Sequence, residues 1–268
     1  MLILLAGKLA FCQYKMVYIP DSIIGNMKMD GDTTDWEWAP SSYIIKTNSL
    51  DNMLNDNEYD PENWACRLVF GWNQISNRIY ILAIVKDDVK SVDRIPPQGK
   101  AVLDDCMEVI INPDNFGGEN RYQTTESYHH SVKFFYSFPL PESKYEFEIR
   151  KGPSWYPEGK RYISWGGKEY NDPNHKTVTV YEVSLILWDF WSDKGAEYSQ
   201  ESQLFINKQI GLTVAFDDVD KEKDVRSAQW VTSSGSGWNG NANDLSVFIL
   251  DAPLKKGISW QNISHLLK

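Results

Sequence analysis

Glu108, Trp238 and two groups of aspartates are the side chains whose type and setting suit chemistry. Glu108 stands in Asp104-Asp105-Cys106-Met107-Glu108, at the head of an apolar run. Directed into a cleft, its carboxylate would accept hydrogen bonds from ligand hydroxyls. On a sheet edge it would be solvated or paired with an arginine. Trp238 is bracketed by Ser233-Ser234-Gly235-Ser236-Gly237 and Asn239-Gly240-Asn241. In that setting the ring is either an exposed flat platform for the apolar face of a ligand or a hydrophobic anchor for the loop. Asp30, Asp32 and Asp35 lie on one turn, and Asp217, Asp218 and Asp220 on another. Calcium takes about six to eight oxygens, so a structural Ca2+ held by Asp30, Asp32, Asp217 and Asp218 is one expectation. Asp is also the ordinary turn residue, because it caps backbone N–H groups. Neither group follows EF-hand spacing.

No motif for covalent catalysis accompanies these residues. The chain has no Gly-x-Ser-x-Gly elbow, no phosphate loop and no His-Glu-x-x-His. His129 and His130 are adjacent, so on a strand they point to opposite faces and do not chelate one metal together. Carboxylate pairs at glycosidase spacing cannot be read in one dimension, which keeps a polysaccharide hydrolase or lyase as the alternative. The expectation is a binding protein with no catalytic residue.

The chain of 268 residues has room for one large all-β domain or two small ones, and its 42% hydrophobic content is that of a folded protein. A net charge of −10 argues against nucleic acid and anionic membranes, which require Lys and Arg clusters. Neutral or cationic ligands, including uncharged sugars, fit that charge. Aromatics make up 13%, a surplus that a ring-stacking surface would use. Residues 1–12 read as a secretory segment, with Ala10 and Cys12 placed for a cut before Gln13. A cut before Cys12 would instead leave a lipidated cysteine, the one route to a membrane. An ordinary N-terminal strand is the structural alternative. The expected location is secreted, periplasmic or cell-surface. Of the remaining cysteines, Cys66 and Cys106 sit in predicted strands, as buried thiols or as one disulfide if the strands are neighbours.

Strands are expected at 65–72, 79–85, 107–112, 131–138, 177–187, 210–216 and 245–250. Ile79 to Val85 is apolar without alternation, which predicts a strand covered on both faces. Tyr181, Val183, Leu185 and Leu187 share one face, opposite Glu182 and Ser184. Ile210, Leu212, Val214 and Phe216 do the same, opposite small residues. Trp36, Trp38, Trp72, Trp188 and Trp230 lie in or beside strands and read as core. Many short strands between Gly, Asn, Asp and Pro clusters predict a β-sandwich, all-β and of immunoglobulin or jelly-roll type. Residues 13–268 form a single domain in this reading, with a loop-rich, hairpin-rich insertion at about 113–174 that carries Trp155 and Trp165. A short helix is expected near 258–267.

Taken in order, these signposts resemble carbohydrate-binding module family 9, within the DOMON-like group of sandwiches. Met29-Asp30-Gly31-Asp32-Thr33-Thr34-Asp35-Trp36 resembles the family's entry strand. Asn77 to Asp87, Asp105-Cys106-Met107-Glu108-Val109, Tyr181 to Leu185 and Ile210 to Asp218 are similar to its successive strand motifs, and Trp238 to its closing Trp. The resemblance spans residues 24–251. It implies a β-sandwich that grips oligo- or polysaccharide ends between two Trp rings, carries structural calcium and works beside glycoside hydrolases. Carried over by position, Trp238 is one ring and Glu108 the ligand-bonding Glu. Gln123, in Tyr122-Gln123-Thr124-Thr125, is the nearest match to the family's Arg-x-Asn pair. Ala101-Val102-Leu103 stands where the second Trp belongs, so a surface scaffold that has lost sugar binding is a further alternative.

Overall fold

The computed structural model describes residues 13–54, 59–92, 101–118, 132–136, 147–220, 225–233 and 237–254. Cys12, Gln123, His129, His130 and the predicted C-terminal helix lie outside them. The strands are β1 (Gln13–Tyr18), the two-residue β2 (Ile45–Lys46) and β3 (Asp51–Asn52), β4 (Trp64–Asn73), β5 (Arg78–Asp87), β6 (Cys106–Asn112), β7 (Val132–Tyr136) and β8 (Phe147–Lys151). They continue with β9 (Ile163–Asn171), β10 (Thr177–Leu185), β11 (Trp188–Phe190), β12 (Gln200–Glu201), β13 (Gln209–Asp218), β14 (Ala228–Val231) and β15 (Ser246–Leu250).

One layer runs β8-β7-β6-β13-β15, with β14 also on β13, and the other runs β4-β5-β10-β9. β1 joins them: residues 13–16 pair in parallel with β15, and Val17 and Tyr18 pair in parallel with β4. Between the layers lies the main core. Val109 and Ile111 of β6 and Leu212, Val214 and Phe216 of β13 meet Leu68, Phe70, Ile81 and Val183 of the other sheet. The alternation of β10 and β13 sends the predicted faces inward. β5 is covered on both sides, because Tyr80, Leu82 and Ile84 form a second cluster with Trp36, Trp38 and Val180. All five tryptophans read as core are buried. Cys66 and Cys106 are free buried thiols, and burial pushes the Cys66 thiol up to about 12.

The stretch expected as an insertion supplies β7, β8 and β9, which form the two outer edges of the layers. β7 and β8 make the expected hairpin. Trp155 is buried against Trp188 and Tyr162, and Trp165 stacks on Phe147 at 4.1 Å, so both rings serve the sandwich interior. β9 escaped prediction because Gly166 and Gly167 interrupt its alternation. Those glycines admit the segment Met29-Asp30-Gly31: a Cβ at Gly166 would lie 1.7 Å from the Met29 carbonyl oxygen, and one at Gly31 (φ +80) would lie 2.4 Å from the Lys168 nitrogen. Glu182 on β10 fastens the crossing. It accepts from the backbone N–H of Asp30 (2.9 Å) and Gly31 (2.6 Å) and from Trp36 Nε1 (2.8 Å). Burial raises the Glu182 carboxyl to about 7, against the pull of those three donors.

Candidate functional site

The outer face of the β6–β13–β14 layer gathers the polar residues. Alternation puts Cys106, Glu108 and Ile110 on this face, opposite the core residues Met107 and Val109. In register, Glu108 faces Ala215, and Asp217 faces both Cys106 and Gln229. Gln229 Nε2 donates to Glu108 Oε1 (3.1 Å) and to Asp217 Oδ1 (2.9 Å). Arg226, just before β14, donates from Nη1 to Asp217 Oδ1 at 2.9 Å and lies 3.9 Å from Glu108 Oε1. The Cys106 thiol donates to Asp217 Oδ2 at 3.3 Å. Burial holds the Asp217 carboxyl well above the usual range; the Glu108 charge and a hydrogen bond between the two carboxyl groups add to it, and Arg226 opposes. Two acids, one guanidinium and one amide thus form a closed network in which the Arg226 side chain is the most open member, 28% exposed against 1% for Glu108.

Trp238 lies on the same outer face, packed with Ile110, Ala215, Val231, Ala242 and Leu245. The structure therefore brings Glu108 and Trp238 together on one side of the same strands. It corrects the expectation of an exposed ring, since Trp238 is 3% exposed. Residues 237–242 form a turn folded back onto the sheet: the N–H groups of Gly240 and Asn241 both donate to the Gly237 carbonyl at 2.9 Å, and Ala242 N donates to Gly118 O at 2.6 Å. Val102, where a second ring was expected, packs against Ala101 and Cys106.

The aspartates sort differently from expectation. Asp217 and Asp218 are consecutive strand residues and point to opposite faces, so Asp217 joins Glu108 and only Asp218 enters a carboxylate cluster. Asp30 and Asp32 are turn-capping residues: Asp30 Oδ1 accepts from Asp32 N at 3.0 Å, and Asp32 caps a short 3-10 helix by accepting from Thr34 N at 3.1 Å. The cluster is made instead by Asp87 at the end of β5, Asp105 before β6 and Asp218 at the end of β13. All three are buried, with one oxygen of each within 4.8 Å of the others. Asp88 and Asp220 form an overlapping set with Asp87. Asn63 Nδ2 lies 3.4 Å from Asp218 Oδ2, and Asp218 Oδ1 is buried without a hydrogen-bond partner. Burial first, then neighbouring carboxylates, raise Asp87 and Asp218. Burial also raises Asp105, against the backbone N–H groups of Ser91 and Val219 and the nearby Lys90 charge, with Asp218 adding to the rise. Oxygen donors only, converging and incompletely paired, match what a hard cation such as Ca2+ takes.

Sequence reasoning missed Arg226 and Gln229 as site residues. Strand alternation would have paired Glu108 with Asp217 and Gln229 once the β6–β13–β14 register was known. Nothing local marks Arg226.

No model of a known protein family matches this sequence, and no curated protein matches it. Among solved structures the chain is similar to a carbohydrate-binding module family 9 from Caldicellulosiruptor kristjanssonii in complex with cellotriose, at 10% identity and TM-score 0.56, over 94% of this chain and 100% of that one. It is also similar to a family 9 module from the same organism in complex with glucose, at 11% identity and TM-score 0.52, over 92% and 100% of the two chains. The sandwich fold is thus shared with these modules along nearly the whole chain.

Proposed function

We propose that the chain is a non-catalytic carbohydrate-binding domain that takes a neutral glycan on the outer face of β6, β13 and β14. The observation that carries this reading is the meeting of Glu108 and Trp238 on one face, in a fold shared with modules that hold cellotriose and glucose. An apolar ring beside a few convergent polar groups is the general composition of a small-ligand site. Arg226 is the accessible first contact, with Glu108 and Gln229 behind it and Gln123 a further contact by family position. Trp238 is packed into this face at 3% exposure, so stacking on a ligand would require the turn that carries it to lift. In this reading the domain is exported and acts beside glycoside hydrolases in polysaccharide breakdown or uptake.

The hydrolase alternative fits the geometry less well. Glu108 and Asp217 are both buried and bridged by the Gln229 amide, whereas glycosidase carboxyl pairs must be open to flank the scissile bond. A structural Ca2+ belongs to the same proposal, with Asp87, Asp105 and Asp218 as its ligands. Calorimetry with glucose and cello-oligosaccharides tests the site. Arg226→Gln and Glu108→Gln should each weaken binding about tenfold or more, as loss of a hydrogen bond to a charged group does. Unchanged affinity in both would remove the site from this face. A silent glycan array on the folded protein would favour the scaffold alternative.

A further inference from the structure

The opposite layer carries a cleft of about 450 Å³, within the range of small-molecule sites. Its floor is Ile84 and Val178, and its walls include Tyr59, Asn174, Lys86 and Arg67. Arg67 is half-buried on β4. One donor, Nη1, reaches the carbonyl of Cys66 at 2.8 Å, and Nε is enclosed without an acceptor. Among the described residues no carboxylate pairs with this guanidinium. The two carboxylates lining the cleft are held by lysines: Glu62 lies 3.1 Å from Lys176 Nζ, and Asp172 lies 3.6 Å from Lys86 Nζ within the cleft. In a chain with 37 acidic and 27 basic residues, this arginine at the wall of a cavity has no acidic partner among the described residues.

A partly desolvated cation is unfavourable unless paired, and the guanidinium fork matches a carboxylate in two-point geometry. We infer that this cleft binds a small carboxylate-bearing molecule, with Arg67 gripping the carboxylate, Lys86 adding charge, and Tyr59 and Asn174 framing the body. An acidic sugar and a simple organic acid share that chemistry. The site is separate from the Glu108 face and does not depend on it.

Titration calorimetry of the full chain with glucuronate, succinate and, as neutral control, glucose tests this. At least one acid should bind. Its affinity should fall about tenfold or more in Arg67→Met, fall less in Lys86→Gln and be unchanged in Glu108→Gln. Binding of both acids means that the carboxylate suffices; binding of glucuronate alone means that the sugar body is read as well. Arg67→Lys keeps the stem and charge but loses the fork, and should also weaken binding if the Met variant does not fold. The inference is overturned if neither acid binds, if binding survives both Arg67 variants, or if Glu108→Gln abolishes it. Glucose binding failing while acid binding stands would overturn only the glycan reading.

Discussion

Asp218→Asn should change the sign of its effect on stability with calcium. Asp87, Asp105 and Asp218 have oxygens within 4.8 Å of one another. At an effective dielectric of about 20, each ionised pair at that separation repels by at least about 3 kcal/mol. Three such pairs rival the whole net stability of a domain, about 5–15 kcal/mol. Without a cation the trio relieves itself partly by holding protons, which is the direction in which all three carboxyls are shifted. Asp218→Asn removes two of the three pairs and leaves Asn63 beside an amide. In chelator at alkaline pH the variant should therefore be more stable than the parent by about 1–3 kcal/mol, a discounted share of the repulsion removed. Calcium at a thousand times its Kd should stabilise the parent by about 4.1 kcal/mol and the variant by much less. Because about 1 kcal/mol moves Tm by about 2–4 °C in a domain of this size, differential scanning calorimetry in EDTA and in calcium should show the order of the two Tm values reversing. A parent Tm indifferent to calcium, or a variant less stable than the parent in EDTA, refutes the reasoning.

Gly166→Ala should cost at least about 3 kcal/mol, because its Cβ would drive Met29 off β9 and strand the Asp30 and Gly31 N–H groups; Gly25→Ala, with open space around it, is the matched control in urea unfolding. Trp238→Ala should lower stability by about 3–5 kcal/mol, the usual loss for a buried aromatic, and a loss under about 1 kcal/mol would return the ring to the surface. Glu182 has its folded carboxyl raised from 4.5 to about 7. Its stabilising effect is complete below the unfolded value and lost as pH rises through that window, by at most on the order of 3 kcal/mol. Urea midpoints measured from pH 4.5 to 7 in calcium should carry a falling component that Glu182→Gln lacks, and identical slopes would show that Glu182 does not titrate there.

The layers were legible because β4, β5, β10 and β13 carry their burial pattern in their own residues. β9 was hidden because its identity depends on what crosses it: Gly166 and Gly167 read as turn signals until Met29 is laid over them. Glu108 was found as a polar site residue through the resemblance. The turn role of Asp30 and Asp32 was legible, but the grouping of Asp87, Asp105 and Asp218 was not, because turn composition marks a ligand set only when strand direction is known. Adjacent Asp217 and Asp218 face opposite sides, while Asp105 reaches Asp218 from the turn that precedes β6. Trp238 misled for a related reason. Its Gly and Ser neighbours describe a turn but not the Ile110 and Ala215 surface on which that turn folds.

β1 sets the order in which this molecule can be completed. It bonds to β15 along one half and to β4 along the other, and Lys15 is ion-paired with Asp251, 236 residues away. A chain delivered N-terminus first, from a ribosome or through a translocation pore, cannot close this seam until its last strand has emerged. Contacts of such sequence separation carry a large loop-closure cost and form late. The β4–β5–β10–β9 layer, which joins the two local pairs β4–β5 and β9–β10 and is complete by Leu185, can form while β15 is still absent. The sandwich must wait, with the inner face of that layer open to solvent and to any chaperone at the exit.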